Sequence, residues 1–151
     1  MRKCKVGKYS VDFKCGHTAE VNIYGEDVQK QIQYMEHNEI CPMCKKAEKE
    51  EKYKEEARKA HEWAMKLGLP ELTGTEKQIR WAESLRKENM QRLVYEYKFR
   101  KQIAQTEEEL KKLMTDMKVL TEWMRTENEA AVWIELANCS LSYYFKMIKE
   151  D

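Results

Sequence analysis

Residues 13–17 read FKCGH, and residues 41–44 read CPMC. Cysteine thiolates and a histidine imidazole are the donors that tetrahedral zinc takes. In CPMC, two residues separate Cys41 from Cys44, so one tight turn can aim both sulfurs at a single ion. Earlier in the chain, Cys15 and His17 flank one glycine. Together the four residues make a Cys3His set suited to Zn2+. Two other readings compete for these residues. Cys4, in the string KCK, can take the place of His17 in a four-cysteine site, but it must reach back from ahead of the strand. A redox dithiol at CPMC should open a helix after a strand within a βαβ pattern, and nothing around it supplies one. A closed four-ligand zinc keeps no position for water, so the expected role is structural.

These ligands need elements that bring them together. Val11 and Phe13 alternate before the first pair, and Val21 and Ile23 alternate after it. Period two on both sides of a short turn predicts a β-hairpin with Cys15, Gly16 and His17 at its tip. Gly16 supplies the backbone freedom that such a turn requires. A two-stranded unit buries too little to stand alone, and a metal is the usual staple. Between the two ligand pairs, Val28, Ile32 and Met35 predict a short amphipathic helix over 26–38, with His37 exposed near its end.

Beyond Cys44 the chain turns helical. Glu48/Lys52, Glu50/Lys54 and Glu55/Lys59 are i,i+4 pairs in the favourable order. Tyr53, Ala57, Ala60, Ala64 and Leu67 form a thin stripe suited to a single neighbour, a second copy of the chain included. His61 reads as a surface residue, and Gly68 and Pro70 end the helix. Three T-x-x-[E/Q] signatures then mark helix starts, at Thr75, Thr106 and Thr126. Ile79, Ala82, Leu85, Leu93 and Tyr97 line one face of the first of these helices. Leu110, Leu113, Met117, Leu120 and Met124 line the second. Ala130, Ile134, Ala137, Leu141, Tyr144 and Ile148 line the third. Such spacings mean helices packed on helices. Cys139 reads as a small buried thiol.

The expected fold class is therefore α+β, mostly α. A zinc-ribbon hairpin domain over 1–44 leads to a charged helix and linker over 45–74. A helical domain over 75–151 completes a bundle of three to four long helices.

At 36% charged and 42% hydrophobic, with apolar residues along its whole length, the chain is charged without being disordered. Its net charge of +1 hides an asymmetry. Residues 75–105 carry eight Lys/Arg against four Asp/Glu, a net of +4, while 106–151 carry six against ten, a net of −4. In the basic block, YEYKFRKQ alternates Tyr95, Tyr97 and Phe99 with Glu96, Lys98 and Arg100, and Lys101 follows. Cations for phosphate and rings for stacking are what single-stranded nucleic acid recruits; an amphipathic helix with a wide aromatic face is the simpler alternative. Lys77, Arg80 and Trp81 fall in the first turns of a capped helix, whose amide end favours anions. Docking of Trp81 and Ile79 on a neighbouring helix accounts for them equally. No run of about 18 apolar residues predicts a membrane span. MRKCKVGKYS has no signal-peptide core. The expected compartment is a reducing cytoplasm, where cysteines bind metal or stay free.

CGHTAEVNIYG, CPMC, LPELTGTEKQIRWAESLR and EAAVWIELA together resemble a group of uncharacterised small zinc-ribbon proteins of bacteria, phages and mobile elements. These carry an L-x-G-[ST]-E-K-Q-I-x-W-A box and a late tryptophan–isoleucine pair. The matching positions are Cys15, His17, Cys41 and Cys44; then Leu72, Gly74, Glu76, Lys77, Gln78, Ile79, Trp81, Ala82 and Arg86; then Trp133 and Ile134. The chain departs from the pattern after Ile134, at Glu135, Leu136 and Ala137. The resemblance implies the architecture and a mobile-element setting, and no activity.

With three histidines and no phosphate loop, nucleophile elbow or H-E-x-x-H, the chain reads as non-enzymatic. Two classes of function remain. One is a zinc-ribbon protein acting through nucleic acid or a nucleic-acid-processing partner. The other is a protein–protein inhibitor of a host defence system, anti-CRISPR-like, with no direct nucleic-acid binding. The first predicts binding that falls steeply with salt, the second a salt-tolerant complex with an aromatic core.

Overall fold

The computed structural model describes residues 6–150. Mostly helical, with one small antiparallel hairpin at its start, it has the α+β architecture expected from the pattern. Contacts divide the chain into two compact units, Met1–Tyr53 and Lys54–Asp151.

In the first unit, β1 (Val6–Asp12) pairs antiparallel with β2 (Thr18–Tyr24), with Val11 opposite Ala19 and Asp12 opposite Thr18. Along β2, Ala19, Val21 and Ile23 turn inward while Thr18, Glu20, Asn22 and Tyr24 face solvent, as period two requires. Gly16 takes φ +82° in the connecting turn, which other residues rarely adopt. The turn is closed by the Phe13 amide donating to the His17 carbonyl at 2.9 Å. α1 (Val28–Asn38) follows, with Val28, Ile32 and Met35 on a core of Val11, Phe13, Ile23 and Cys41.

α2 (Pro42–Lys66) begins at Pro42, so Cys44 lies inside its first turn rather than ahead of it. Proline is well suited there because its missing N–H needs no partner. The division between the two units falls within this helix. At its end Gly68 takes φ +69°. The Leu69 amide donates to Ala64 and the Gly68 amide to Met65, the paired closure of a glycine-ended helix.

The second unit continues with α3 (Glu76–Ile103), α4 (Glu107–Thr126), α5 (Ala130–Glu135) and α6 (Leu141–Glu150). Its core gathers Leu72, Ala82, Leu93, Leu120, Met124, Trp133, Leu141 and Tyr144. Trp123 packs on Trp133 and on Tyr144, at centroid distances of 5.5 and 5.9 Å. Thr75 closes a full capping box with Gln78, and Thr106 caps α4 through the Glu109 amide.

The third signature is not a cap. The Thr126 hydroxyl donates backward to the Trp123 carbonyl at 3.0 Å, finishing α4, and Glu129 precedes α5 without any side-chain cap. A spacing of three reads as a box only if the threonine lies outside the helix.

The expected single C-terminal helix is two. The row Asn89, Arg92, Glu96 and Arg100 on α3 lies against the break. Asn89 donates to the Leu136 carbonyl at 3.4 Å, and Arg92 donates to the Cys139 carbonyl. Glu96 accepts from the Leu141 amide at 3.3 Å, and Arg100 donates to the Ser142 hydroxyl at 2.8 Å. These side chains satisfy the groups that a helix interior would otherwise pair.

Residues 72–74 run beside residues 128–130. The Thr73 amide donates to Asn128 at 2.7 Å, and the Ala130 amide donates back to Thr73 at 2.9 Å. At Gly74, with φ +144°, a Cβ would stand 3.3 Å from the Ala130 Cβ. Positive φ and close approach both call for glycine.

Candidate metal centre

Cys15, His17, Cys41 and Cys44 converge, with one donor atom from each within 4.8 Å of all the others. Two local structures place them. The β1–β2 turn presents Cys15 and His17, and the start of α2 presents Cys41 and Cys44. The Lys14 amide donates to the Glu39 carbonyl at 3.0 Å, and the Cys41 amide donates to Cys15 Sγ at 3.2 Å, so the two halves are tied by backbone.

Cys41 sits where a helix cap sits. Its sulfur accepts from the Cys44 amide at 3.4 Å, and its carbonyl accepts from the Lys45 amide at 2.9 Å. Sulfur here takes the role that a serine or aspartate oxygen usually plays. The amide end of a helix also favours a thiolate over a thiol.

The spacing fits zinc. With Zn–S near 2.3 Å and Zn–N near 2.05 Å, a tetrahedral site puts sulfur about 3.6 Å from nitrogen. The His17 Nδ1 lies 3.3 Å from Cys44 Sγ and 3.8 Å from Cys41 Sγ, on either side of that value. Electrostatics point the same way. The Cys41 amide beside it, with His17 also adjacent, lowers the Cys15 thiol to about 6. The hydrogen bond of Cys44 to the Cys41 sulfur, with burial and the Cys15 sulfur adding to it, holds the proton on Cys44 and pushes its thiol up to about 11. A divalent cation displaces that proton, since a coordinating thiol is deprotonated outright. Cys4, the other proposed ligand, lies outside the described residues.

His37 takes no part; its Nδ1 faces the Gln33 carbonyl at 2.7 Å. His61, read as a surface residue, is only half exposed. Its Nδ1 lies 3.0 Å from Oε1 of buried Glu83, whose Oε2 accepts from Arg86 at 2.9 Å. Arg86 also donates to the Pro70 carbonyl at 2.8 Å. Glu83 and Arg86 are 3% and 1% exposed, so this pair holds the linker onto α3 from inside. The charge pattern did not single it out, since an i,i+3 Glu–Arg pair looks the same buried or exposed.

The residues expected to meet nucleic acid or a partner all lie on α3, and the helix sorts them. YEYKFRKQ is helical throughout, so its alternation does not segregate rings from cations. Tyr97 packs on the core. Arg100 turns to Glu96 at 2.9 Å and to Ser142, so both leave the set of outward residues. Lys77, Trp81, Tyr95, Lys98 and Lys101 are exposed, and Arg80 is partly so. Phe99, the third ring of that stretch, is 52% exposed. Among the described residues, no helix is long and apolar enough to cross a membrane.

No protein-family model, curated protein or solved structure matches this chain significantly. The reading of function rests on the chain's own chemistry.

Proposed function

We propose that the protein is a non-enzymatic zinc-binding module that acts through nucleic acid or a nucleic-acid-processing partner. The observation carrying the zinc half is the convergence of three sulfurs and one imidazole nitrogen within 4.8 Å. Those donors fill all four tetrahedral positions, so the metal staples the hairpin to the start of α2 rather than activating water. The hairpin unit needs such a staple, because among the described residues its core has only four buried members, one of them a ligand.

The nucleic-acid half is supported by the basic character of 75–105 and by cations and aromatic rings exposed together on α3. The resemblance to proteins of phages and mobile elements favours a reducing bacterial cytoplasm as the setting. Exposed Trp81, at 58%, favours a second reading, an inhibitor that docks on a host defence protein.

Fluorescence anisotropy separates the two. Labelled single-stranded DNA, duplex DNA and RNA are titrated with the zinc-loaded protein across a salt series. Binding that weakens steeply with salt supports the nucleic-acid reading. Absence of binding at low salt removes it and leaves the inhibitor.

A further inference from the structure

We infer that the partner is a single-stranded nucleic acid lying along one continuous face of α3. This rests on the nucleic-acid reading above and goes further, naming the surface and the form of the strand.

The helix is unbroken from Glu76 to Ile103. At about 100° per residue, 18 residues make five whole turns and about 27 Å of rise. Lys77 and Tyr95 are 18 residues apart, as are Arg80 and Lys98, and Trp81 and Phe99. The two clusters, far apart in the chain, therefore lie on the same side of one rod. Within each cluster a ring lies one turn beyond the first exposed residue: Trp81 beyond Lys77, and Phe99 beyond Tyr95. Ala82, Glu83, Arg86, Asn89 and Leu93 bury the opposite side. Trp81, Tyr95 and Phe99 are 58%, 74% and 52% exposed, so the rings are presented outward rather than spent on packing.

Charge selects the occupant. Among the described residues, Lys77, Lys87, Lys98 and Lys101 of α3 make no ion pair, as Lys66 of α2 and Lys112 and Lys118 of α4 also do not, while Arg86, Arg92 and Arg100 of α3 are paired with acids. Glu76 and Glu88 are the exposed acids of α3. An uncompensated line of lysines calls for an anion, and lysine is depleted from protein–protein interfaces. Rings call for bases. In a duplex the base faces are already stacked, so outward rings gain partners only from an unpaired strand. A strand touching both clusters must cover about 27 Å.

The test uses the full zinc-loaded chain and labelled dT4, dT12, rU12 and a 12-base-pair duplex, with anisotropy read across salt. Expected is tight binding of the 12-mers, with dT4 weaker by tenfold or more because it reaches one cluster. Tyr95→Ala and Phe99→Ala should each weaken dT12 binding about tenfold. Lys77→Ala and Lys98→Ala should each lower the salt slope by about 0.7. Lys111→Ala and Lys118→Ala, on α4, should leave the rings' contribution intact. Circular dichroism confirms that each variant remains folded. Wild-type binding unchanged by all four α3 variants overturns the inference and leaves the broader reading standing. Preference for the duplex overturns the single-strand assignment. No binding by any probe removes both the inference and the reading beneath it.

Discussion

The backbone amide of Cys41 donates to the sulfur of Cys15 at 3.2 Å, across 26 residues of chain. This bond fixes the Cys15 side chain against the backbone that carries Cys41, and the Lys14 amide donating to the Glu39 carbonyl ties the two segments backbone to backbone. The bond from the Cys41 amide also stabilises Cys15 as the thiolate, the form that a metal binds.

Cys41→Ser should therefore remove a ligand while leaving α2 capped, because a serine oxygen can accept the Cys44 amide in place of the sulfur. Metal analysis should show the zinc content falling from near one per chain to near zero. A chelator added to the wild type should abolish hairpin signals in an NMR spectrum while most helical circular dichroism survives. Retention of full metal content by the serine variant would show that another residue completes the site.

Arg86 and Glu83 form a buried ion pair that also holds the Pro70 carbonyl. Removing one partner strands a charge where water cannot reach it. Arg86→Met should cost about 3–5 kcal/mol in urea unfolding, whereas the double change Glu83→Leu with Arg86→Met should cost distinctly less. Equal losses in the two would mean the pair contributes by packing alone.

The two threonines at 75 and 126 share a motif and differ in role. Thr75→Ala should destabilise the helical unit by about 1 kcal/mol, because its hydroxyl accepts the Gln78 amide. Thr126→Ala should change stability by a few tenths at most, since its hydroxyl only back-bonds to α4 carbonyls. Thermal melts of both variants decide this, and a larger loss at 126 would restore the cap there.

Tyr144 is buried, and burial pushes its phenol up to about 12. The unfolded chain releases that proton near 10. Protonated Tyr144 therefore contributes fully below pH 10, and the contribution is lost as pH rises through 12, about 2–3 kcal/mol in all. Spectrophotometric titration should show a late phenolate component that is absent from Tyr144→Phe. A spectrum without that component would place the hydroxyl in water.

What could be read along the chain was what is decided within a few residues, or by chemistry that few residue types can perform. Thr75 and Thr106 reveal caps because their partners lie three positions on. The hairpin is legible in the alternation of Val11, Phe13, Val21 and Ile23. Cys15, His17, Cys41 and Cys44 announce themselves because tetrahedral zinc accepts so few donors, although the pairs are distant in sequence.

Tertiary structure decided what depends on which way a side chain faces. Arg80, Arg86, Lys98 and Arg100 all belong to one basic stretch, yet Arg86 is sealed in the core, Arg100 is turned to Glu96 and Ser142, and Lys98 is left in water. Between α5 and α6, Ser140 caps α6 locally through the Tyr143 amide, while Asn89, Arg92 and Glu96, more than 40 residues away, take up the carbonyls and amide freed there. Local propensity chooses helix over strand at low cost. Choosing which polar groups a helix gives up requires partners that only the folded chain brings within about 3 Å.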